Sequence, residues 1–187
     1  MNITKILIIF AVVFAVAVYK SNTNKSNGKG NSANYINSIF QNDTLGNNIV
    51  LNLDSGNQIS LQKSKDGFTM QNNNQPTLFV FFATWCPSCK KSAPFYLSLQ
   101  KKCSILRIVG ALLEDKERSV IEKYKKTLNI NYEITQSGAR ALERANGGVN
   151  AIPSLLLLDK NGITKHSGVL TPQNMQNFLS SIDKICG

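Results

Sequence analysis

A chain of 187 residues, 42% hydrophobic and 17% charged, has room for one sizeable domain and an appendage; its apolar share excludes both wholesale disorder and a multi-span membrane protein. Lys and Arg number 21 against 11 Asp and Glu, a net charge of +10 that invites an anionic partner, but no basic stripe interleaved with aromatics accompanies it, so nucleic acid is not expected. Four cysteines and one histidine are too few for a disulfide scaffold or a zinc site, and neither metal nor cofactor is expected.

The first element is a run of fourteen apolar or aromatic residues, Ile6 to Tyr19, between Lys5 and Lys20. Residues 1–20 read as a membrane anchor or a signal peptide. Ala15-Val16-Ala17 offers a small-residue cleavage site, but Val18 and Tyr19 carry the apolar run through it, which favours the anchor. Either way the rest of the chain is expected outside the cytoplasm. Residues 21–37 are rich in Asn, Ser and Gly, lack acidic residues and show no periodicity. They read as a flexible tether of about 20–25 Å root-mean-square span, with Lys20, Lys25 and Lys29 close to lipid headgroups.

Residues 38–187 make one domain. Ile49–Leu53 and Gln58–Gln62 alternate around Asp54-Ser55-Gly56 and predict a β-hairpin. Thr77–Phe82 (TLFVFF) is a continuous apolar run of buried-strand length. A helix follows from Pro87 to about Cys103, then a second buried strand over Ile105–Leu113. Val120, Ile121, Tyr124 and Leu128 mark one face of a helix, and Ala139–Ala145 a shorter helix. Ser154–Leu158 and Ile163–Ser167 flank the turn Lys160-Asn161-Gly162. Thr171-Pro172 opens a last helix carrying Met175, Phe178, Leu179 and Ile182 at helical spacing. Helices alternating with buried strands predict an α/β sandwich around a mixed sheet.

The first buried strand runs into Trp85-Cys86-Pro87-Ser88-Cys89-Lys90-Lys91. Two cysteines in a C-x-x-C at the start of a helix suit thiol–disulfide exchange. Unpaired backbone N–H groups and the helix dipole favour a thiolate at Cys86, lowering its pKa from the free value of about 8.5. Pro87 preorganises the first turn, and Cys89 is placed to resolve a mixed disulfide formed at Cys86.

The stretch TLFVFFATWCPSCKKSAP resembles the active-site strand and helix of thioredoxin-fold proteins, in particular the membrane-tethered TlpA/ResA-type thiol–disulfide oxidoreductases of bacteria. Pro94 matches that helix's internal proline, and Gly148–Ser154 followed by LLLLDKNG is similar to the family's cis-proline loop, strand and turn. The resemblance implies a thioredoxin-like fold, a central mixed β-sheet flanked by helices, with the predicted hairpin as an N-terminal extension. It makes Cys86, Cys89 and Pro153 catalytic, and places Trp85, Pro87, Ser88 and Ile152 against the substrate, with Ile152 pairing to an extended strand.

Two departures from the family pattern bear on proton transfer. Val80 stands where thioredoxin carries a buried acid, and Ser92 stands where TlpA/ResA-type proteins commonly place a Glu. Glu114 and Asp115 are the nearest substitutes, although a solvated loop pair is the plainer reading. The resemblance also brings the ends of the first and last helices together, which permits a structural Cys103–Cys186 disulfide; two free thiols are the alternative.

The implied function is a protein-disulfide reductase in the bacterial periplasm or on the outer face of the cytoplasmic membrane, tethered by residues 6–19 if they are not cleaved. Its partners would be protein disulfides and a membrane electron donor of the thioredoxin-reducing type, with the inner membrane contacted through the N-terminal segment. Roles of this family include preparing apocytochrome c cysteines for haem. The alternatives are a disulfide-forming oxidase of the same fold and a non-catalytic thioredoxin-like binding module.

Overall fold

The computed structural model describes residues 48–71 and 74–187. The expected anchor (1–20) and tether (21–37), with residues 38–47, lie outside the described residues. In chain order the elements are β1 (Asn48–Leu53), β2 (Gln58–Lys63), β3 (Phe68–Met70), β4 (Thr77–Phe82), α1 (Pro87–Lys102), β5 (Arg107–Leu112), α2 (Arg118–Leu128), β6 (Glu133–Ser137), α3 (Ala139–Ala145), β7 (Ser154–Leu158), β8 (Thr164–Gly168) and α4 (Pro172–Cys186).

The apolar run TLFVFF forms β4 and is buried at all six positions. Its side chains alternate between two cores, as a strand's must. Leu78, Val80 and Phe82 pack with Ala93, Tyr96 and Leu99 of α1 and with Phe178 and Ile182 of α4. Phe79 and Phe81 pack with Leu51, Leu61 and Phe68 of β1–β3 and with Leu142 of α3. Burial on both faces explains why the strand reads as a continuous hydrophobic run. Each fully buried phenylalanine contributes roughly 2–3 kcal/mol of transfer free energy.

Strand order is β3-β2-β1-β6-β5-β4-β7-β8. β4, β5 and β6 are parallel, and every other neighbouring pair is antiparallel. The expected thioredoxin-like mixed sheet is therefore present, and β1–β2 form the expected hairpin extension. Asp54 fastens that hairpin to β6. Its Oδ1 accepts the Ile134 N–H at 2.9 Å and its Oδ2 lies 2.6 Å from Lys125 Nζ. Beside it, Glu133 accepts from Ser55 Oγ at 2.6 Å and pairs with Arg107 at 2.6 Å.

The Asn161-Gly162 turn between β7 and β8 is also fixed by tertiary contact. The Phe68 N–H donates to Gly162 O at 2.9 Å, and Gly162 has φ +78° with its would-be Cβ 1.9 Å from Phe68 O. Only glycine satisfies both conditions.

Three sequence expectations need correction. β3 and β6 are strands that periodicity does not reveal. β3 has only three residues, and the polar positions of β6 are buried by partners distant in sequence: Thr135 Oγ1, for one, accepts the Leu112 N–H at 2.9 Å. Val120 is 43% exposed, because the inward stripe of α2 runs through Ile121, Tyr124 and Leu128 and leaves Val120 on its flank. The second buried strand starts at Arg107, not Ile105, since Cys103–Leu106 form a turn closed by Leu106 N–H to Cys103 O at 3.1 Å.

Candidate active site

β4 delivers the chain into a tight turn in which the Cys86 N–H donates to Ala83 O at 3.1 Å. Cys86 is the N-cap of α1 with Pro87 at the first helical position, an arrangement proline favours because that N–H has no helical partner. Cys86 and Cys89 are joined as a disulfide with Cα atoms 5.3 Å apart, and both are buried. The Cys89 N–H points at Cys86 Sγ, 3.1 Å away. With no acidic residue in the first turn of α1, the positive end of the helix dipole at Cys86 is not neutralised from within the helix.

The loop before β7 closes over this pair. The Ile152–Pro153 peptide bond is cis, and Ile152 O accepts from Ser88 Oγ at 3.2 Å. Ser88 Oγ is also 3.2 Å from Cys86 Sγ. Trp85 is 69% exposed, so a large ring stands in solvent next to the reactive pair. Pro87 is exposed as well. Cysteines, proline loop and tryptophan thus meet at one end of the sheet. A cavity of about 310 Å³ lies alongside, with Ser92, Tyr96, Pro153, Leu170 and Met175 in its wall. A larger cavity of about 690 Å³, between Pro76, Ile105, Lys160 and Lys184, holds no thiol and sits where β4 begins, away from Cys86.

Val80 is buried and apolar, and the Ser92 hydroxyl donates to Ser88 O at 2.9 Å. Among the described residues no carboxylate hydrogen-bonds to either active-site sulfur. Tyr96 lies on the buried face of α1; burial, opposed by its hydrogen bond with Ser92, pushes its pKa up to about 12, so it stays a neutral phenol.

Glu114 is not a solvated loop residue. It accepts the Thr84 N–H at 2.8 Å and the Thr84 hydroxyl, with Lys116 Nζ at 3.2 Å, while Asp115 is exposed. Glu114 therefore braces the turn that carries Trp85 and Cys86, a role that sequence spacing gave no sign of. Its partial burial raises the pKa, but the Thr84 and Lys116 contacts outweigh this and hold the carboxyl below its ordinary 4.5. Because the folded value lies below the unfolded one, the stabilisation is complete above about pH 4.5 and is lost as pH falls through the folded pKa. Below that pH the melting midpoint of the wild type is expected to fall more steeply than that of Glu114→Gln; equal acid slopes in thermal melts would remove the assignment.

At the far end of α1, Cys103 is joined to Cys186 of α4 with Cα atoms 5.5 Å apart. Cys103 is buried and Cys186 half-buried. A helix of 16 residues spans about 24 Å, which separates the two disulfides.

Residues 66–182 match the thioredoxin-like domain family. The chain belongs to that family. The match begins after β1 and β2, so the hairpin extension precedes it. A probable thiol:disulfide interchange protein, DsbE-2 of Pasteurella multocida, is 28% identical over 125 residues, covering 65% of this chain and 64% of the relative. The thiol:disulfide interchange protein DsbE of Escherichia coli K12 is 29% identical over 101 residues, 53% of each chain. The chain thus spans between half and two thirds of the length of these relatives. The thioredoxin domain of a thiol-disulfide oxidoreductase from Bacteroides vulgatus superimposes with a TM-score of 0.57 at 14% identity, covering 77% of this chain and 96% of its own. At that identity the likeness shows the thioredoxin-like fold alone. These relatives agree with the TlpA/ResA-type resemblance of the motifs around Cys86 and Pro153.

Proposed function

We propose that this thioredoxin-like chain is an extracytoplasmic thiol–disulfide oxidoreductase that reduces protein disulfides. The observation that carries the reading is the Cys86–Cys89 disulfide at the N-terminus of α1, with the Ile152 carbonyl 3.9 Å from Cys86 Sγ. In the reduced protein the Cys86 thiolate attacks a substrate disulfide. A bond forms between Cys86 Sγ and one substrate sulfur, and the other sulfur leaves as a thiolate and takes a proton from water. Cys89, deprotonated, then attacks Cys86 Sγ, closes the Cys86–Cys89 disulfide and expels the second substrate thiolate. The substrate gains two electrons and the protein loses two. A membrane electron donor of the thioredoxin-reducing type restores the dithiol.

Ile152 offers backbone N–H and C=O to an extended substrate strand, with Trp85, Pro87 and Ser88 also against the substrate. The similarity to thiol:disulfide interchange proteins supports the activity. The run Ile6–Tyr19 supports a tether on the outer face of the cytoplasmic membrane; among the described residues no helix is long and apolar enough to cross a membrane. Apocytochrome c cysteines are the substrate that the TlpA/ResA-type resemblance favours.

One observation favours the opposite direction, disulfide formation: no acid hydrogen-bonds to either active-site sulfur among the described residues. The reduction potential of the Cys86–Cys89 pair separates the two. A value near −270 mV supports the reductase, whereas one near or above about −120 mV sinks it in favour of the oxidase.

A further inference from the structure

Cys86, Ser88 and Ile152 converge on a single hydroxyl. Ser88 Oγ is 3.2 Å from Cys86 Sγ and 3.2 Å from Ile152 O. A serine hydroxyl has one proton to donate, so Ser88 serves one of these acceptors at a time. In the disulfide seen here Cys86 Sγ carries no hydrogen and no charge. The 3.9 Å from it to Ile152 O is accordingly a contact, not a hydrogen bond. The carbonyl is the better acceptor in this state and takes the Ser88 proton.

Reduction reverses the preference. A Cys86 thiolate is an anion, and hydrogen bonds to ionised acceptors are roughly twice as strong as neutral ones. The Cys89 N–H already points at that sulfur from 3.1 Å, so Ser88 would supply a second donor to it. Ser88 is exposed, and turning an exposed hydroxyl takes picoseconds to nanoseconds without backbone movement.

We propose that Ser88 is a redox-operated positioning residue, whose hydroxyl proton covers the Ile152 carbonyl while the disulfide is closed and turns to the Cys86 thiolate when it is open. The proton never leaves Ser88; only its acceptor changes. This rests on the reading of Ile152 as the residue that pairs with an extended substrate strand. That strand's N–H finds the Ile152 carbonyl free when Cys86 is ready to attack. Once Cys89 has closed the disulfide, Ser88 takes the carbonyl back and competes with the departing product.

Among the described residues few other charges face this turn. Lys90 and Lys91 follow on α1 and are exposed. Glu114 meets the turn through Thr84 with Lys116 beside it. The Asn146–Pro153 loop contains no charged residue, and neither does the segment Val169–Met175 that enters α4.

The test uses the full chain as wild type, Ser88→Ala and Ser88→Thr. Thiolate absorbance near 240 nm is followed against pH in the reduced proteins, and the Ile152 carbonyl carbon-13 resonance is recorded in reduced and oxidised forms. Ser88→Ala is expected to hold about tenfold less Cys86 thiolate at a given pH below the titration midpoint, with Ser88→Thr close to wild type. The Ile152 resonance is expected to move on reduction in wild type and Ser88→Thr, and to stay in place in Ser88→Ala. An unchanged thiolate titration in Ser88→Ala, or an Ile152 displacement that persists in it, overturns the proposal. Neither measurement depends on turnover, so failure of the oxidoreductase reading, seen as absent insulin reduction by wild type, is a separate result.

Discussion

Cys86→Ser is expected to bring insulin-disulfide reduction down to the uncatalysed rate, a loss on the order of 10³-fold or more, as removal of an enzyme's nucleophile does. Cys89→Ser is expected to be almost as inactive in turnover but different in kind. Its Cys86 can still attack, and the mixed disulfide it forms has no internal thiol to resolve it. That species accumulates and is read by non-reducing electrophoresis and intact mass, with the added mass removed by dithiothreitol. The asymmetry follows from position in the helix, both sulfurs being buried: Cys86 caps α1 and receives the Cys89 N–H at 3.1 Å, while Cys89 lies one turn in. Equal insulin reduction by wild type and Cys86→Ser would remove the enzyme and leave the non-catalytic binding module. A trapped adduct on Cys89 in the Cys86→Ser protein would reverse the two roles.

Loss of the second disulfide is expected to act on stability. Cys103 and Cys186 are 83 residues apart in sequence, so their bond closes a long loop in the unfolded chain. The chain-entropy account assigns such a closure about 4 kcal/mol. In a domain of this size that corresponds to a fall of about 8–16 °C in melting midpoint. The variant Cys103→Ala/Cys186→Ala, which leaves no unpaired thiol, is expected to show this fall while keeping insulin reduction near the wild-type rate at 25 °C. The bridge ties the last turn of α4 to the end of α1, far from Cys86. A midpoint unchanged within about 2 °C would show that packing of Phe178 and Ile182 already fixes α4 and that the bridge adds little. Lost activity at full stability would instead connect the bridge to the active site.

The elements that could be read in advance are those whose burial leaves a periodic mark. β4 matches its apolar run from Thr77 to Phe82 residue for residue, and α3 matches Ala139–Ala145, because in both cases the residues that make the element also bury it. The C-x-x-C was legible for a different reason: its spacing is its chemistry. β6 was not legible, since Thr135 and Glu133 look like loop residues until Leu112 and Arg107 are beside them. Val120 was misplaced because a helix of 11 residues allows two overlapping apolar stripes. Which one faces inward is settled by Ile121, which is buried in the core beside Tyr124 and Leu128 while Val120 stays on the flank.

The sequence alone determined the fold class and the reactive pair, and it carries an apolar run, Ile6 to Tyr19, near its start. Four of the 21 basic residues and none of the 11 acidic ones precede residue 38, so part of the +10 belongs to the segment read as anchor and tether. Such features are local: patterns of adjacent residues carry them, and no partner is needed to see them. Only the tertiary structure decided what surrounds the thiols. It spends the Glu114 carboxylate on Thr84, gives the sulfurs no acid partner among the described residues, and sets the Ser88 hydroxyl equidistant from Cys86 and Ile152. Each of those contacts except the one within α1's first turn joins residues at least 30 positions apart. A hydrogen bond is decided by a few tenths of an ångström, a precision that only the assembled sheet and its loops supply.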